Sequence, residues 1–222
     1  MIPPPGTALR VVGDVHGDAR GFAAALATDR FVIQLGDLVD HGPDSVATLT
    51  MALDLAESGR GLFLLGNHDW KLYQALTGQA RTIRASLRDT LERLPSALAE
   101  RARASLPQRP AWLRLGERLF VHAGFHTAML LQPPPIPLVK PDGIVSRALY
   151  GQPTGRTQTD GFPERSLAWL DRIPAGMTLY CGHDQRARDG RPPLLHGRQG
   201  GRALFLDTGA GKGGHLSWID LD

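Results

Sequence analysis

Six short apolar runs, each stopping abruptly on polar residues, constrain this chain more than any other feature. They read ALRVVGDVHG, RFVIQLGD, GLFLLGNHD, RLFVHAG, MTLYCGHD and ALFLDTGAG. Each strings β-branched, aromatic or leucine residues over roughly four to six positions, the mark of strands buried on both faces. Residues 18–28 and 43–58 lie between the first three runs and read as helices. The second of these opens with Pro43 and Asp44, both helix-start signals. Strands and helices alternating at this spacing imply right-handed parallel crossovers, hence an α/β fold.

Beyond Asp69 the pattern turns helical to about residue 105, interrupted at Gly78 and Pro95. AWLRLGERLFVHAG predicts two strands joined by a two-residue loop at Gly116 and Glu117. Residues 131–143, LQPPPIPLVKPDG, hold too much proline for a helix or a central strand and read as a surface loop. RALFLDTGAGKGGHLSWID is expected to close the chain as a further hairpin. One domain spanning 1–222, with a helical insertion at about 70–106, accommodates all of this. No run approaches ~18 uninterrupted apolar residues, so no membrane partner is expected. The start lacks a basic stretch followed by an apolar one, and the single cysteine, Cys181, leaves no internal disulfide; both fit a cytoplasmic protein.

The net charge is +3, and every basic residue is an arginine except Lys71, Lys140 and Lys212. The arginines crowd residues 81–104 among leucine and alanine at helical spacing, so a solvated helix face explains them better than a nucleic-acid surface. Trp70, Trp112, Trp169 and Trp218 are too dispersed to form a stacking platform. No stable nucleic-acid partner is expected, only a preference for anionic substrates.

The polar stops carry the chemistry. They are Asp14 and His16; Asp37 and Asp40; Asn67, His68 and Asp69; His122; and His183 and Asp184. Ligands of open α/β sheets bind where strands end and loops begin, and mixed carboxylate, imidazole and amide sets hold divalent cations. One acid after a strand is ordinarily a turn or a cap; a series of such ends asks for a common cause. GDVHGDARG lacks the dinucleotide-binding glycine spacing, and GAGKGG lacks that of a phosphate loop and precedes a strand. His126, His196 and His215 read as surface or turn residues, Cys181 as a buried small residue, and Asp69 as an acid opening the next helix. Asp207 reads as a structural carboxylate or a support for the site.

Taken in order, GDVHG, GDLVDHG, GNHD, VHAG and CGHD resemble the motifs of the calcineurin-like metallophosphoesterases, especially the phosphoprotein-phosphatase branch and its bacterial relatives. The resemblance covers about residues 9 to 220. It implies an α/β/β/α sandwich of two mixed sheets flanked by helices. It assigns Asp14, His16 and Asp37 to one divalent cation, with Asp37 bridging to a second completed by Asn67, His122 and His183. A carboxylate can bridge two cations ~3.5–4 Å apart, the separation used to activate water and neutralise phosphoryl oxygens. The implied reaction is in-line attack on phosphorus by a hydroxide held between the cations. His68 protonates the leaving oxygen in this scheme and Asp40 orients His68. Manganese is the implied metal pair, iron and zinc being compatible with the same donors.

Two departures from the family pattern bear on substrate. His41 stands where the pattern has a phosphate-gripping arginine, and it is shorter, titratable and not bidentate. Arg147, in SRALYG, lies where a second phosphate-binding arginine occurs, so His41, Asn67 and Arg147 are the candidate substrate-phosphate anchors. Gln185 replaces a histidine found in many broader relatives, which points to the phosphoprotein-phosphatase branch. The resemblance therefore implies a two-metal phosphatase for phosphomonoesters, of the serine/threonine protein phosphatase kind. A symmetrical dinucleoside tetraphosphatase is the alternative, followed by a nucleotide- or polynucleotide-end phosphatase. A scaffold that has lost catalysis is disfavoured, having no need for six metal-binding groups.

Overall fold

Side chains on a strand alternate between faces, and here that alternation sorts the apolar runs into two separate cores. We describe residues 2–158 and 163–222 from a computed structural model. In β1 (Leu9–Val12), Leu9 and Val11 enter one core and Val12 the other. In β2 (Phe31–Gln34), Phe31 and Ile33 part from Val32 in the same way. After β3 (Gly61–Phe63) the chain keeps alternating, Leu62 and Leu64 to one side and Phe63 and Leu65 to the other. Phe120 of β5 (Arg118–Val121) and Tyr180 of β8 (Thr178–Cys181) join the first core and stack with ring centroids 5.1 Å apart. That core lies between two sheets; the second, larger one lies under the helices. Each fully buried leucine, isoleucine or phenylalanine stabilises the fold by about 1.5–3 kcal/mol, so both faces of every central strand are committed.

The first sheet has the order β11-β1-β2-β3, with β1, β2 and β3 parallel and β11 (Trp218–Leu221) antiparallel to β1. The second sheet contains β4 (Trp112–Leu115), β9 (Leu194–His196) and β10 (Arg202–Phe205), in the order β4-β5-β8-β10-β9. Its central strands β5, β8 and β10 are parallel, while β4 and β9 are antiparallel edges. Two mixed sheets with helices outside them make the α/β/β/α sandwich that the motifs imply. β4 and β5 form the expected hairpin.

Helix α1 (Ala19–Leu26) connects β1 to β2, its first turn capped by Asp18, which accepts from Gly21 N. Helix α2 (Ser45–Glu57) connects β2 to β3 and is capped by Asp44, which accepts from Ala47 N. Capping of this kind satisfies an orphan N–H of the first turn and contributes about 1 kcal/mol. The helical stretch after β3 comprises α3 (Asn67–Leu76), α4 (Ala85–Arg93) and α5 (Ser96–Ser105), the breaks falling around Gly78 and at Pro95. Helix α6 (Gly143–Tyr150) follows the proline-rich stretch, where Leu131 and Val139 are exposed and Leu138 is buried.

One expectation is corrected. β10 and β11 do not form a hairpin: β11 crosses to the other sheet and pairs with β1. Residues 206–217 do not form a tight turn because they drop through the site, with Ser217 O accepting from Gly13 N and Ser217 Oγ donating to Leu206 O. β6 (Gln152–Thr157) and β7 (Pro163–Ser166) form a small antiparallel ribbon whose mostly exposed, polar sequence gives no strand signal. Among the described residues no helix is long and apolar enough to cross a membrane.

Candidate metal centre

The carboxyl ends of β1, β2, β3, β5 and β8 meet at one place, and each leads directly into one polar motif. Two groups of ligand atoms, each within 4.8 Å of one another, form there: Asp14, His16 and Asp37, and Asp37, His122 and His183. Asp37 belongs to both. Its Oδ2 lies 3.5 Å from His16 Nε2 and 3.4 Å from His122 Nε2, while Oδ1 accepts from His68 N at 2.8 Å. One carboxylate oxygen thus stands between the two imidazoles.

The backbone selects which nitrogen each histidine presents. His16 Nδ1 donates to Val39 O at 3.0 Å and His122 Nδ1 to Leu35 O at 2.9 Å. Each bond leaves Nε2 facing the centre, the arrangement that backbone carbonyls behind a metal site impose on ligating histidines. His16 Nε2 is buried and has no hydrogen-bond partner. His183 is placed by its own N–H, which points at both Asp14 oxygens, 3.1 and 3.0 Å away.

The donor set fits divalent cations. Asn67 turns its amide oxygen toward His122 Nε2, 3.1 Å away, among acceptor atoms of Asp37 and His183. An oxygen facing acceptors is the ligating orientation. Turned over, the amide nitrogen would donate to Asp37 Oδ2 at 3.3 Å, His183 Nδ1 at 2.7 Å and His122 Nε2 at 3.1 Å, with the oxygen accepting from Lys71 Nζ at 3.0 Å. One side chain can therefore satisfy the centre with or without positive charge in it.

The electrostatics point the same way. Burial lifts the Asp14 carboxyl well above the usual range, and the charge of Asp207 adds to it. Burial also disfavours ionised Asp37, but His122, His68 and His16 outweigh that and hold its carboxyl well below the usual range. Burial pushes the His16 and His183 imidazoles well down, keeping them neutral. His122 is pressed down by burial yet raised to about 9 by Asp37, whose charge it balances. Buried carboxylates that depend on a neighbouring positive charge are the setting in which a cation is stabilised.

Beside this cluster, Asp40 Oδ2 accepts from His68 Nδ1 at 2.6 Å, and Asp40 Oδ1 accepts from Thr90 Oγ1 of α4 at 2.9 Å. Asp40 is 2% exposed and His68 17%, so the imidazole can reach a substrate while its partner stays dry. His41 is exposed and packs edge-on to both His16 and His68, with ring centroids 4.9 and 5.0 Å away. Arg147 is less direct: its stem lies against Gly124, two residues past His122, while Nη1 donates to Gln152 Oε1 at 2.7 Å.

Several neighbours surround the centre. Asp69 is fully buried and accepts from Asp37 N, Leu38 N and Gly66 N at 2.8, 3.0 and 3.0 Å, so it braces the loop that holds Asp37 besides opening α3. Burial and the Asp37 charge raise its carboxyl to about 6. Lys71 sits one turn after Asn67, against its amide. Burial lowers the imidazoles of His16, His41 and His183, and the charge of Lys212, from the phosphate-loop look-alike, lowers them further, as does Arg165 for His183. Two of the three lysines thus flank the centre. Asp207 Oδ1 accepts from Gly209 N at 2.9 Å, and its Oδ2 is buried without a partner. Cys181 is buried, and burial drives its thiol well above the usual range, as for an inert core residue.

Residues 9–183 match the family model described as calcineurin-like phosphoesterase. An asymmetrical bis(5'-nucleosyl)-tetraphosphatase, PrpE, of Geobacillus sp. (strain WCH70) is 28% identical over 193 residues, covering 82% of this chain and 72% of that one. A symmetrical bis(5'-nucleosyl)-tetraphosphatase of Acidovorax sp. (strain JS42) is 40% identical over 128 residues, 53% of this chain and 44% of that one. Among solved structures, one of a "putative diadenosine tetraphosphatase" superposes with a TM-score of 0.69 at 20% identity, covering 99% of this chain and 91% of that one. A serine/threonine phosphatase from Saccharomyces cerevisiae with similarity to human PP5 superposes with a TM-score of 0.64 at 15% identity, over 99% of this chain and 81% of that one. These structural likenesses concern the fold.

Proposed function

The chain belongs to the calcineurin-like phosphoesterase family, and from that premise we propose that it hydrolyses phosphoric esters at a two-cation centre formed by Asp14, His16, Asp37, Asn67, His122 and His183. The observation that carries this reading is the sharing of Asp37 between two ligand groups. When bound, the cations supply an activated water and neutralise charge on the phosphoryl oxygens. The protein's own groups do the rest. Asp37 sits between the two halves of the centre, Val39 O and Leu35 O keep the lone pairs of His16 and His122 inward, and His68 delivers a proton to the leaving oxygen while Asp40 holds its ring. Mixed oxygen and nitrogen donors suit manganese, with iron and zinc compatible. A single buried thiol suits a reducing compartment, and we place the enzyme in the cytoplasm.

For the substrate, we favour a dinucleoside polyphosphate. Lys71, Lys212 and Arg165 come to the centre from three separate segments, which suits several linked phosphates better than one. His41 in place of the family arginine removes the bidentate grip that a lone terminal phosphate would need. The tetraphosphatase names of the relatives agree with this reading. A phosphomonoester, including phosphoserine in a protein, is the second reading. The His68–Asp40 pair favours it, because an alkoxide needs a proton to leave and a nucleotide phosphate does not.

The test is a steady-state panel with manganese-loaded protein on diadenosine tetraphosphate, a phosphoserine peptide and nitrophenyl phosphate. The first is expected to show the highest kcat/KM, by roughly tenfold or more, equivalent to about 1.4 kcal/mol. Two ADP molecules would mark symmetrical cleavage, and ATP with AMP asymmetrical cleavage. The reverse ranking would assign the phosphomonoester class. No turnover on any of them, with two metals bound, would overturn the hydrolase reading.

A further inference from the structure

The replacement of arginine by His41 does more than weaken a phosphate grip. It completes a triangle of imidazoles. The ring centroids of His16, His41 and His68 are 4.9, 5.0 and 5.0 Å apart, and one nitrogen from each lies within 4.8 Å of the other two. We propose that His16, His41 and His68 form a further cation site, selective for nitrogen-seeking divalent ions of the zinc class, which competes with the dinuclear centre.

Hydrogen bonding decides which atoms the triangle can offer. His16 Nδ1 is engaged by Val39 O and His68 Nδ1 by Asp40 Oδ2, so both present Nε2. His16 Nε2 is buried without a hydrogen-bond partner. The third arm is held in place by backbone: Gly42 N donates to His16 O at 2.9 Å, tying the two loops together. Asp40 and His41 are consecutive left-handed residues, at φ 72° and 68°. A non-glycine backbone in that region is retained only where its surroundings over-determine it. Zinc bound by imidazoles has Zn–N distances of ~2.0–2.1 Å, which brings the nitrogens to roughly 3.3 Å of one another. His41, being exposed, supplies most of that contraction by rotating inward.

Selectivity follows from donor type. The dinuclear centre mixes carboxylates, an amide and imidazoles, a set open to manganese; the triangle offers imidazole alone, which suits zinc, copper or nickel far better than manganese or magnesium. The consequence is inhibition. His16 Nε2 is a single ligand atom and cannot serve both sites. His68 Nε2 is also the nitrogen from which the proposed proton leaves. An ion in the triangle withdraws both. An arginine at position 41 would repel that ion.

The inhibitory consequence rests on the proposed function, whereas the binding claim does not, and metal counting separates them. Protein loaded with manganese and kept in excess manganese is titrated with zinc, and bound metals are counted by mass spectrometry while heat is recorded. Wild-type protein is expected to take up one zinc per chain and to release at most one manganese, the ion that shares His16, with turnover falling as that zinc binds. His41→Ala and His41→Arg are expected to weaken this uptake roughly a hundredfold, the loss of one ligand of three. His126→Ala, outside the triangle and bonded to Ala128 N, should leave it unchanged. Retained manganese loading and unaltered circular dichroism show that both His41 variants fold. Absence of the extra zinc in wild-type protein overturns the proposal. So does equal zinc uptake by wild type and both His41 variants, or zinc replacing both manganese ions. Failure to hold two manganese ions would instead count against the dinuclear centre, and zinc uptake by the triangle would still be read from the metal count.

Discussion

Among the described residues, the non-glycine residues with φ between 43° and 72° are His16, Asp37, Asp40, His41 and His183. All of them are candidate site residues. Each such conformation costs on the order of 1 kcal/mol or more, and a bulky ring or a carboxylate tolerates it only when neighbouring bonds hold it. Here the holds are visible: Asp37 O accepts from both Val15 N and His16 N, and Asp37 N donates to Asp69 Oδ2. These residues follow β1, β2 and β8, where the turned backbone brings their side chains to those that follow β3 and β5. His68 is the residue whose role is most directly testable. Its Ala variant should slow hydrolysis of a phosphoserine peptide by roughly a hundredfold or more, the usual contribution of a general acid. Nitrophenyl phosphate, whose leaving group departs without a proton, should lose far less. Parallel kcat measurements on the two substrates check this, and equal losses would remove His68 from proton transfer.

At the scale of elements, helices α3 and α4 do more than cover the sheet. α3 begins on Asn67, so its first turn aims Asn67, His68 and Asp69 in three directions: to His122, to Asp40, and back under the Asp37 loop. Gly66 precedes it because a side chain there would strike Asp37 N and Oδ1. Gly182 plays the same part for Asp14, whose Oδ1 occupies the space a Cβ would need. α4 contributes Thr90, whose hydroxyl reaches across to the second oxygen of Asp40. Replacing Thr90 by Val keeps the shape and leaves a buried carboxylate oxygen short of a donor. A lost hydrogen bond to a charged group is worth about 1.5–3 kcal/mol. We expect kcat on phosphoserine peptide to fall roughly tenfold (about 1.4 kcal/mol) and kcat on diadenosine tetraphosphate to change far less, with metal content unchanged and Thr90→Ser restoring most of the loss. An unaltered kcat in the Val variant would show that α4 has no part in positioning His68 through Asp40.

At the scale of the whole molecule, the site couples stability to metal and pH. Burial opposes a proton on His122, but Asp37 outweighs burial and raises its pKa from 6.5 to about 9 in the cation-free protein. A raised pKa in the folded state contributes stability that is fully present below 6.5 and is lost as pH rises through about 9. A bound cation takes the same lone pair, so manganese binding should expel about one proton in this range. The melting temperature of EDTA-stripped protein should therefore fall, relative to the manganese-loaded form, between pH 6.5 and 9. Thermal scans of both forms across that range check it; a constant gap would contradict the Asp37–His122 account. The fold and the residues gathered at its strand ends were legible in the chain because both rest on local rules: buried strands need unbroken apolar runs, and polar side chains that are to meet must fall where strands end. GDVHG, GDLVDHG, GNHD, VHAG and CGHD therefore carried the fold and the candidate ligands together. Lys71, Lys212, Arg165, Thr90 and the bracing role of Asp69 did not stand out, since a residue's spacing along the chain says nothing of what a distant helix or loop brings against it. The path of β11 is hidden from the sequence for the same reason. Hydrogen-bond partners of an edge strand lie across space, and only packing of the two sheets decided that the chain's last strand should close the sheet that its first strand began.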